Sequence, residues 1–222
     1  METFLVDAVP TAFGQLLTSR NPTSVALSGG TTARECYEAV ARHDHDWSAA
    51  AFWFGDERFV PIGDSDSNEG MARAVWLDGT ETSAIHSMAT AGSDPESAAR
   101  NYEADLRTAP PLGIVHLGLG PDGHTASLFP GSPTLSETER WVVAAGDDAH
   151  PHPRLTVTFP ALASAELIVV TVAGAEKQAA LHGVWAGSPL LPASRLVTDA
   201  ALAAKTLWLI DEAAVGSADI PR

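Results

Sequence analysis

Short apolar runs alternate along the chain with longer stretches in which apolar residues recur at helical spacing. Residues 4–6, 25–27, 51–54, a short segment near Ile85, 114–119, 141–145, 155–159, 167–172 and 207–210 read as strands. Between them, 8–19, 31–42, 68–77, 94–107, 175–185 and 200–204 read as helices. Local punctuation agrees. Pro10 sits in a first turn, where a missing N–H costs little, and Ser67 is placed to cap its helix. Asp94-Pro95-Glu96 joins a cap, a first-turn proline and an acid suited to the helix dipole. Strand and helix alternate without an internal repeat, which predicts an α/β fold built on a mostly parallel sheet covered on both faces.

The run 114–119 breaks into glycines, within GIVHLGLGPDGHTASLFPG at 113–131. Gly118, Gly120 and Gly123 let backbone approach a ligand closely, and Asp122, His124, Thr125 and Ser127 stand among and just after them. Open α/β sheets hold ligands at such carboxyl ends of strands. The glycines also satisfy the G-x-G-x-x-G spacing of a dinucleotide site, with Asp147 near the place of its ribose acid. That site needs a long helix behind the glycines, however, and Pro130 and Pro133 stop any helix that starts near His124 within two turns. A tight turn in which His124 merely caps a short helix is the plainer alternative.

A second glycine turn, Ser28-Gly29-Gly30, opens the helix 31–42, with Thr31 or Thr32 expected at its N-cap. Gly30, Thr31 and Thr32 then form an anion cradle, because first-turn N–H groups have no partner inside the helix and the dipole favours negative charge. A plain capped turn has the same sequence. Lys177 falls in the first turn of 175–185, where the dipole disfavours a cation unless an anion sits beside it. Asp56, Glu57 and Arg58 enter a loop directly after the aromatic run at 51–54, a cluster unlike a random solvated face. Glu57 points away from its two neighbours if the chain is extended, which assigns it a structural role. In RLTVTF at 154–159, alternation puts Arg154, Thr156 and Thr158 on one face. His150 and His152 have His-x-His spacing, yet their flanking prolines and the lack of a third convergent ligand make them loop residues rather than a metal site.

Composition narrows the classes. A chain of 222 residues, 45% hydrophobic and 18% charged, suits one soluble domain. The amino-terminal segment lacks a basic region, and no apolar run reaches the roughly 18 residues of a membrane span, so neither export nor membrane insertion is expected. The single cysteine, Cys36, excludes an intrachain disulfide and a thiolate metal cluster and suits a reducing cytoplasm. A net charge of −15 opposes binding to nucleic acid. With two lysines, Lys177 and Lys205, beside eleven arginines, any anion site must be built locally from a few cations and backbone N–H groups. Oligomeric state stays open.

GLGPDGHTASLFPG resembles the signature of the 6-phosphogluconolactonases. Three further blocks follow that family's order: SGGTT at 28–32, GDERFVP at 55–61 followed by Ser67-Asn68, and GAEK at 174–177. The resemblance implies a three-layer α/β/α Rossmann-like sandwich of the sugar-phosphate isomerase and deaminase type, as one domain over 1–222. It implies hydrolysis of 6-phospho-D-glucono-1,5-lactone in the pentose phosphate pathway; with no third convergent metal ligand and no thiolate cluster, the expected chemistry uses neither cofactor nor metal. It carries Asp56 and Arg58 into the site, and Asn68 with them, although capping alone explains Ser67-Asn68. Arg154 matches the family's RxTxT block, where a polar strand face is the other explanation.

With Gly30, Thr31, Thr32, Arg58 and Lys177 on a phosphate, His124 and Asp56 are the catalytic candidates, since a neutral imidazole is suited to take a proton from water near pH 7. The chain has no G-x-S-x-G elbow, and Cys36 lies within a predicted helix, which disfavours an acyl-enzyme. The oxyanion is expected to meet backbone N–H groups around Gly123 and Arg58. Asp122 accepts from an imidazole nitrogen or from a sugar hydroxyl. Two other readings compete. An amino-sugar-phosphate deaminase or isomerase shares the D-G-H block, but TASLFPG offers no acid before Glu137. A non-catalytic sugar-phosphate sensor has no need of both Asp56 and His124.

Overall fold

The computed structural model describes residues 1–146 and 151–217, so Asp147 and His150 lie outside the described residues. The strands are β1 (Glu2–Leu5), β2 (Ser24–Leu27), β3 (Ala51–Phe54), β4 (Asp56–Arg58), β5 (Ala84–Ile85), β6 (Ile114–Gly118), β7 (Val142–Ala145), β8 (Arg154–Val157), β9 (Leu167–Val172) and β10 (Thr206–Ile210). The helices are α1 (Val9–Arg20), α2 (Thr31–Ala41), α3 (Asn68–Val75), α4 (Pro95–Thr108), α5 (Phe159–Ser164), α6 (Gln178–Trp185), α7 (Arg195–Thr198), α8 (Ala200–Ala203) and α9 (Glu212–Val215).

Seven parallel strands form the central sheet in the order β1-β10-β9-β6-β2-β3-β5. β2 and β10 are buried along their whole length and β9 along all but its first residue, as expected of apolar runs covered on both sides. β3 shows the two faces directly. Phe52 meets the edges of Trp47 and Trp76, whereas its neighbour Trp53 meets Tyr102 of α4. Successive strand residues point to opposite faces, so the α2–α3 side and the α4 side form separate layers on the sheet. α1 packs against α2. The three-layer expectation holds.

Several elements differ from those expected. Residues 56–58 form no loop: they are β4, in a second, antiparallel sheet of order β4-β8-β7 that packs on α4. Charged residues carry no strand pattern of their own, and β4 exists because β8 pairs with it. The strand expected over 155–159 stops at Val157, since Phe159 starts α5 with Pro160 in its first turn. Thr158 has therefore left the strand face of Arg154 and Thr156, and its hydroxyl donates to Arg140 O at 2.5 Å. The one-turn helices α7 and α9 are too short to leave a periodic signal. No helix lies between residues 119 and 132, so the dinucleotide alternative lacks its helix.

From β2 the chain crosses to β3 on one side, while β6 leads by way of the second sheet to β9 on the other. The crevice between the carboxyl ends of β2 and β6 is thus the point where strand order reverses, the usual ligand position of an open α/β sheet.

Candidate active site

A cleft of about 200 Å³ opens at this point, lined by residues from both glycine turns, from β4 and β8, and from the segment after β9. Its floor is the Ser28-Gly29-Gly30 turn. Gly30, not Thr31 or Thr32, is the N-cap of α2: its φ of +91° is open to glycine and strained for threonine, and a glycine has no side chain with which to cap the helix. Thr31, Thr32 and Ala33 line the cleft, so the uncapped first turn faces it. A Cβ on Gly29 would fall 1.8 Å from Asn68 Oδ1, which shows how closely that amide lies on the turn.

Lys177 reaches the same cleft from a short 3₁₀ turn (Ala175–Lys177) ahead of α6, rather than from inside the helix. That turn follows Gly174, whose N–H is held by the Asp211 carboxylate at 3.1 Å.

β4 and β8 bring two cations together. Arg58 and Arg154 are directly opposite in the antiparallel register and both line the cleft. Arg58 donates from Nη1 to Asp66 O at 2.6 Å, and its buried Nε has no hydrogen-bond partner among the described residues. The Arg154 guanidinium lies 5.5 Å over the Phe129 ring.

Asp56 is buried. One carboxylate oxygen accepts from Ser127 Oγ at 2.7 Å, and Asn68 Nδ2 donates to Asp56 O at 2.9 Å. Glu57 points away, as expected. Fully buried, it accepts from Arg58 N, Asn68 N, Glu69 N and Ser67 Oγ, tying β4 to the start of α3. Burial pushes its carboxyl up, against the pull of those four hydrogen bonds. Ser67 caps α3 by accepting from Gly70 N, while Asn68 holds Asp56 and lines the cleft, so the pair caps and positions at once.

His124 closes the opposite wall. Its Nδ1 is 2.5 Å from Asp122 Oδ1, and the same oxygen accepts from His124 N at 3.2 Å. Partial desolvation raises Asp122, but the charge of His124 and these hydrogen bonds outweigh it and hold the carboxyl below its usual range. An ionised carboxylate only accepts, so Nδ1 carries the proton and a neutral ring keeps Nε2 as a base. Gly120 makes room for the ring, because a Cβ there would lie 2.1 Å from His124 Nδ1.

Of the two roles open to Asp122, the geometry has the bond to the imidazole: Asp122 stands behind His124 and is not among the residues lining the cleft. Gly123 is no oxyanion donor: its N–H donates to Gly120 O at 3.0 Å, its carbonyl accepts from Ala193 N, and it does not line the cleft. Its φ of +81° makes it a turn residue. Ser127, which braces Asp56, and Thr171, which lines the cleft from β9, were not assigned roles from sequence. Ser127 stands in the signature block; Thr171 lies in an apolar run that hides it. Among the described residues, no three His, Cys, Asp or Glu side chains are grouped to hold a metal ion.

An imidazole held by a carboxylate, beside facing arginines and an uncapped helix at a sheet's switch point, defines an α/β protein equipped to hold a small anionic ligand and move a proton on it. Comparison narrows this class. Residues 1–208 match the family described as glucosamine-6-phosphate isomerases/6-phosphogluconolactonase, and the chain belongs to it. The 6-phosphogluconolactonase of Synechocystis sp. is 38% identical over 218 residues, 93% of this chain and 89% of that protein. The solved 6-phosphogluconolactonase of Trypanosoma brucei superposes with a TM-score of 0.82 at 25% identity, covering 98% of each chain. A monomeric glucosamine-6-phosphate deaminase is similar in fold, with a TM-score of 0.81 at 20% identity, covering 96% of this chain and 98% of that one.

Proposed function

We infer that this chain is a 6-phosphogluconolactonase, hydrolysing 6-phospho-D-glucono-1,5-lactone to 6-phospho-D-gluconate. The observation that carries the reading is the His124–Asp122 pair on the same cleft as the uncapped start of α2. The phosphate sits on the first-turn N–H groups of Thr31 and Thr32, beside Gly30 and Lys177. This places the lactone carbonyl toward His124. Nε2 of His124 takes a proton from a water molecule as the water oxygen bonds C1, and Asp122 stabilises the imidazolium that forms.

Arg58 and Arg154 meet the negative charge that develops on the carbonyl oxygen. Asp56, fixed by Ser127 and Asn68, accepts from a ring hydroxyl and sets which face of the lactone meets the water. When the tetrahedral carbon collapses, the ring C1–O bond breaks and the imidazolium returns its proton to the leaving ring oxygen. No covalent enzyme intermediate is needed. The deaminase reading gains nothing from Glu137, whose carboxylate accepts from Thr138, Glu139 and Arg140 N–H groups in its own loop. Among the described residues no helix is long and apolar enough to cross a membrane, and a cytoplasmic site of action belongs to the same proposal.

The test is the rate of 6-phosphogluconate formation from freshly generated lactone, coupled to its dehydrogenase and corrected for spontaneous hydrolysis. We expect wild type to accelerate it and His124→Ala to lose about 10²–10⁴ of that acceleration. Full activity in His124→Ala removes the base. No acceleration by folded wild type removes the function.

A further inference from the structure

Beneath the cleft a row of buried polar side chains runs from α2 across β6 to β9. Ser28 N donates to Tyr37 Oη at 2.7 Å, and the same hydroxyl lies 3.2 Å from Ser28 O. His116 Nδ1 is 2.9 Å from Tyr37 Oη, and His116 Nε2 is 2.9 Å from Thr171 Oγ1. Tyr37 and His116 are fully buried, and Phe13 lies against the imidazole with ring centroids 4.1 Å apart. A neutral imidazole donates at one nitrogen and accepts at the other, so it satisfies a hydroxyl at each end. Burial keeps it neutral, lowering its pKa to about 3.

Such a row needs a reason, because apolar side chains of similar shape fill a core without the demand that every polar atom be paired. Its place in the fold supplies one. Ser28 begins the glycine turn, and both Ser28 and Thr171 line the cleft. Tyr37 belongs to α2, the helix whose first turn faces the ligand. Its hydroxyl grips the end of β2 and so fixes how the turn enters that helix, while Asn68 presses on Gly29 from the other side. His116 and Thr171 fix Tyr37 from the two strands next in the sheet. Neither Tyr37 nor His116 lines the cleft.

We propose that Tyr37 and His116 are positioning residues for the anion-binding turn, and that through Ser28 they set a preference for phosphorylated over unphosphorylated lactone. This rests on the function inferred above. Tyr37→Phe removes one oxygen and leaves Ser28 N–H buried without its acceptor. We expect kcat/KM for the 6-phosphorylated lactone to fall about ten-fold, mostly through KM, while that for glucono-1,5-lactone falls less than two-fold. His116→Gln, which keeps a donor and an acceptor, is expected to retain more of the preference than His116→Leu.

Inorganic phosphate is the second probe. Its dissociation constant, measured by calorimetry, is expected to rise for Tyr37→Phe in step with KM. A general structural role lowers the melting temperature and slows both lactones alike; that result, or an unchanged phosphate dissociation constant, overturns the proposal. If Tyr37→Phe does not fold, the His116 pair is put to the same two measurements. If wild type hydrolyses neither lactone, the function fails, and phosphate binding by the same proteins still decides this inference.

Discussion

Two histidines of one segment, His116 and His124, occupy opposite environments. His116 lies in β6, fully buried between two hydroxyls and held neutral by desolvation. His124 stands past the glycines at the edge of the cleft, its side chain 29% exposed and bonded to a carboxylate. The same side chain is a fixed strut in the floor and, in the proposed mechanism, the proton acceptor at the rim. Environment decides between them: among the described residues the partners of His116 are the neutral Tyr37, Thr171 and Phe13, while the rim places a charged one beside His124. Apart from the buried Asp56 carboxylate, the surroundings of the cleft divide this way, with the backbone N–H groups and neutral hydroxyls of the Ser28–Tyr37–His116–Thr171 row below and Asp122, Arg58, Arg154 and Lys177 around the opening.

The largest expected effect breaks the rim. Asp122→Asn keeps the shape of the side chain but presents an amide, which can accept or donate and no longer fixes Nδ1 as the protonated nitrogen. Because Asp122 acts through His124, we expect kcat to fall by about as much as in His124→Ala, about 10²–10⁴, with thermal stability nearly unchanged. The paired carboxylate also sets the acid behaviour. With Asp122 below the usual carboxylate range, the partner stays charged as pH falls through that range, so the orienting bond outlasts ordinary carboxylate titration. A wild-type kcat in Asp122→Asn removes the orienting role and with it the carboxylate as what sets His124 apart from His116.

A smaller effect separates binding from chemistry along the rim. Lys177 has no ion pair among the described residues, so Lys177→Ala removes a cation without stranding a protein anion. We expect KM for the phosphorylated lactone to rise about 10–100-fold, as for the loss of a charged hydrogen bond, with kcat changed much less. Steady-state kinetics on the two lactones checks this. An unchanged KM takes Lys177 off the phosphate.

The floor and rim were unequally legible in the sequence. The parallel sheet, the cradle turn and His124 announce themselves through apolar runs that end in glycines, because a strand closing in a tight turn has a local signature. β4 has none: Asp56, Glu57 and Arg58 become a strand only by pairing with β8, and the facing of Arg58 and Arg154 is a fact of register between distant segments. Gly123 misled because a glycine in a signature block suggests a free N–H, whereas here that N–H closes the turn on Gly120. The Tyr37–His116–Thr171 row was invisible for a similar reason. Each member sits in an apolar run or a helix where a single polar residue reads as incidental, and only the fold brings three elements' hydroxyls and imidazole into line.

The smallest expected effect tests the floor by its protons. Burial holds the His116 imidazole down to a pKa of about 3, from an ordinary value of 6.5. Below 6.5 the unfolded chain binds a proton that the folded chain refuses, so stability is lost as pH falls through that window and is fully present above it. Between about pH 7 and 5 this single group is worth about 2 kcal/mol. His116→Gln has no such proton to refuse. Urea unfolding of both proteins at the two pH values is expected to show wild type losing about 2 kcal/mol more than the variant, whatever the acid groups common to both contribute. Parallel losses would mean that His116 takes up its proton in the fold. A floor that charges near neutrality is a second titrating site, and the contrast with His124 would then be one of degree.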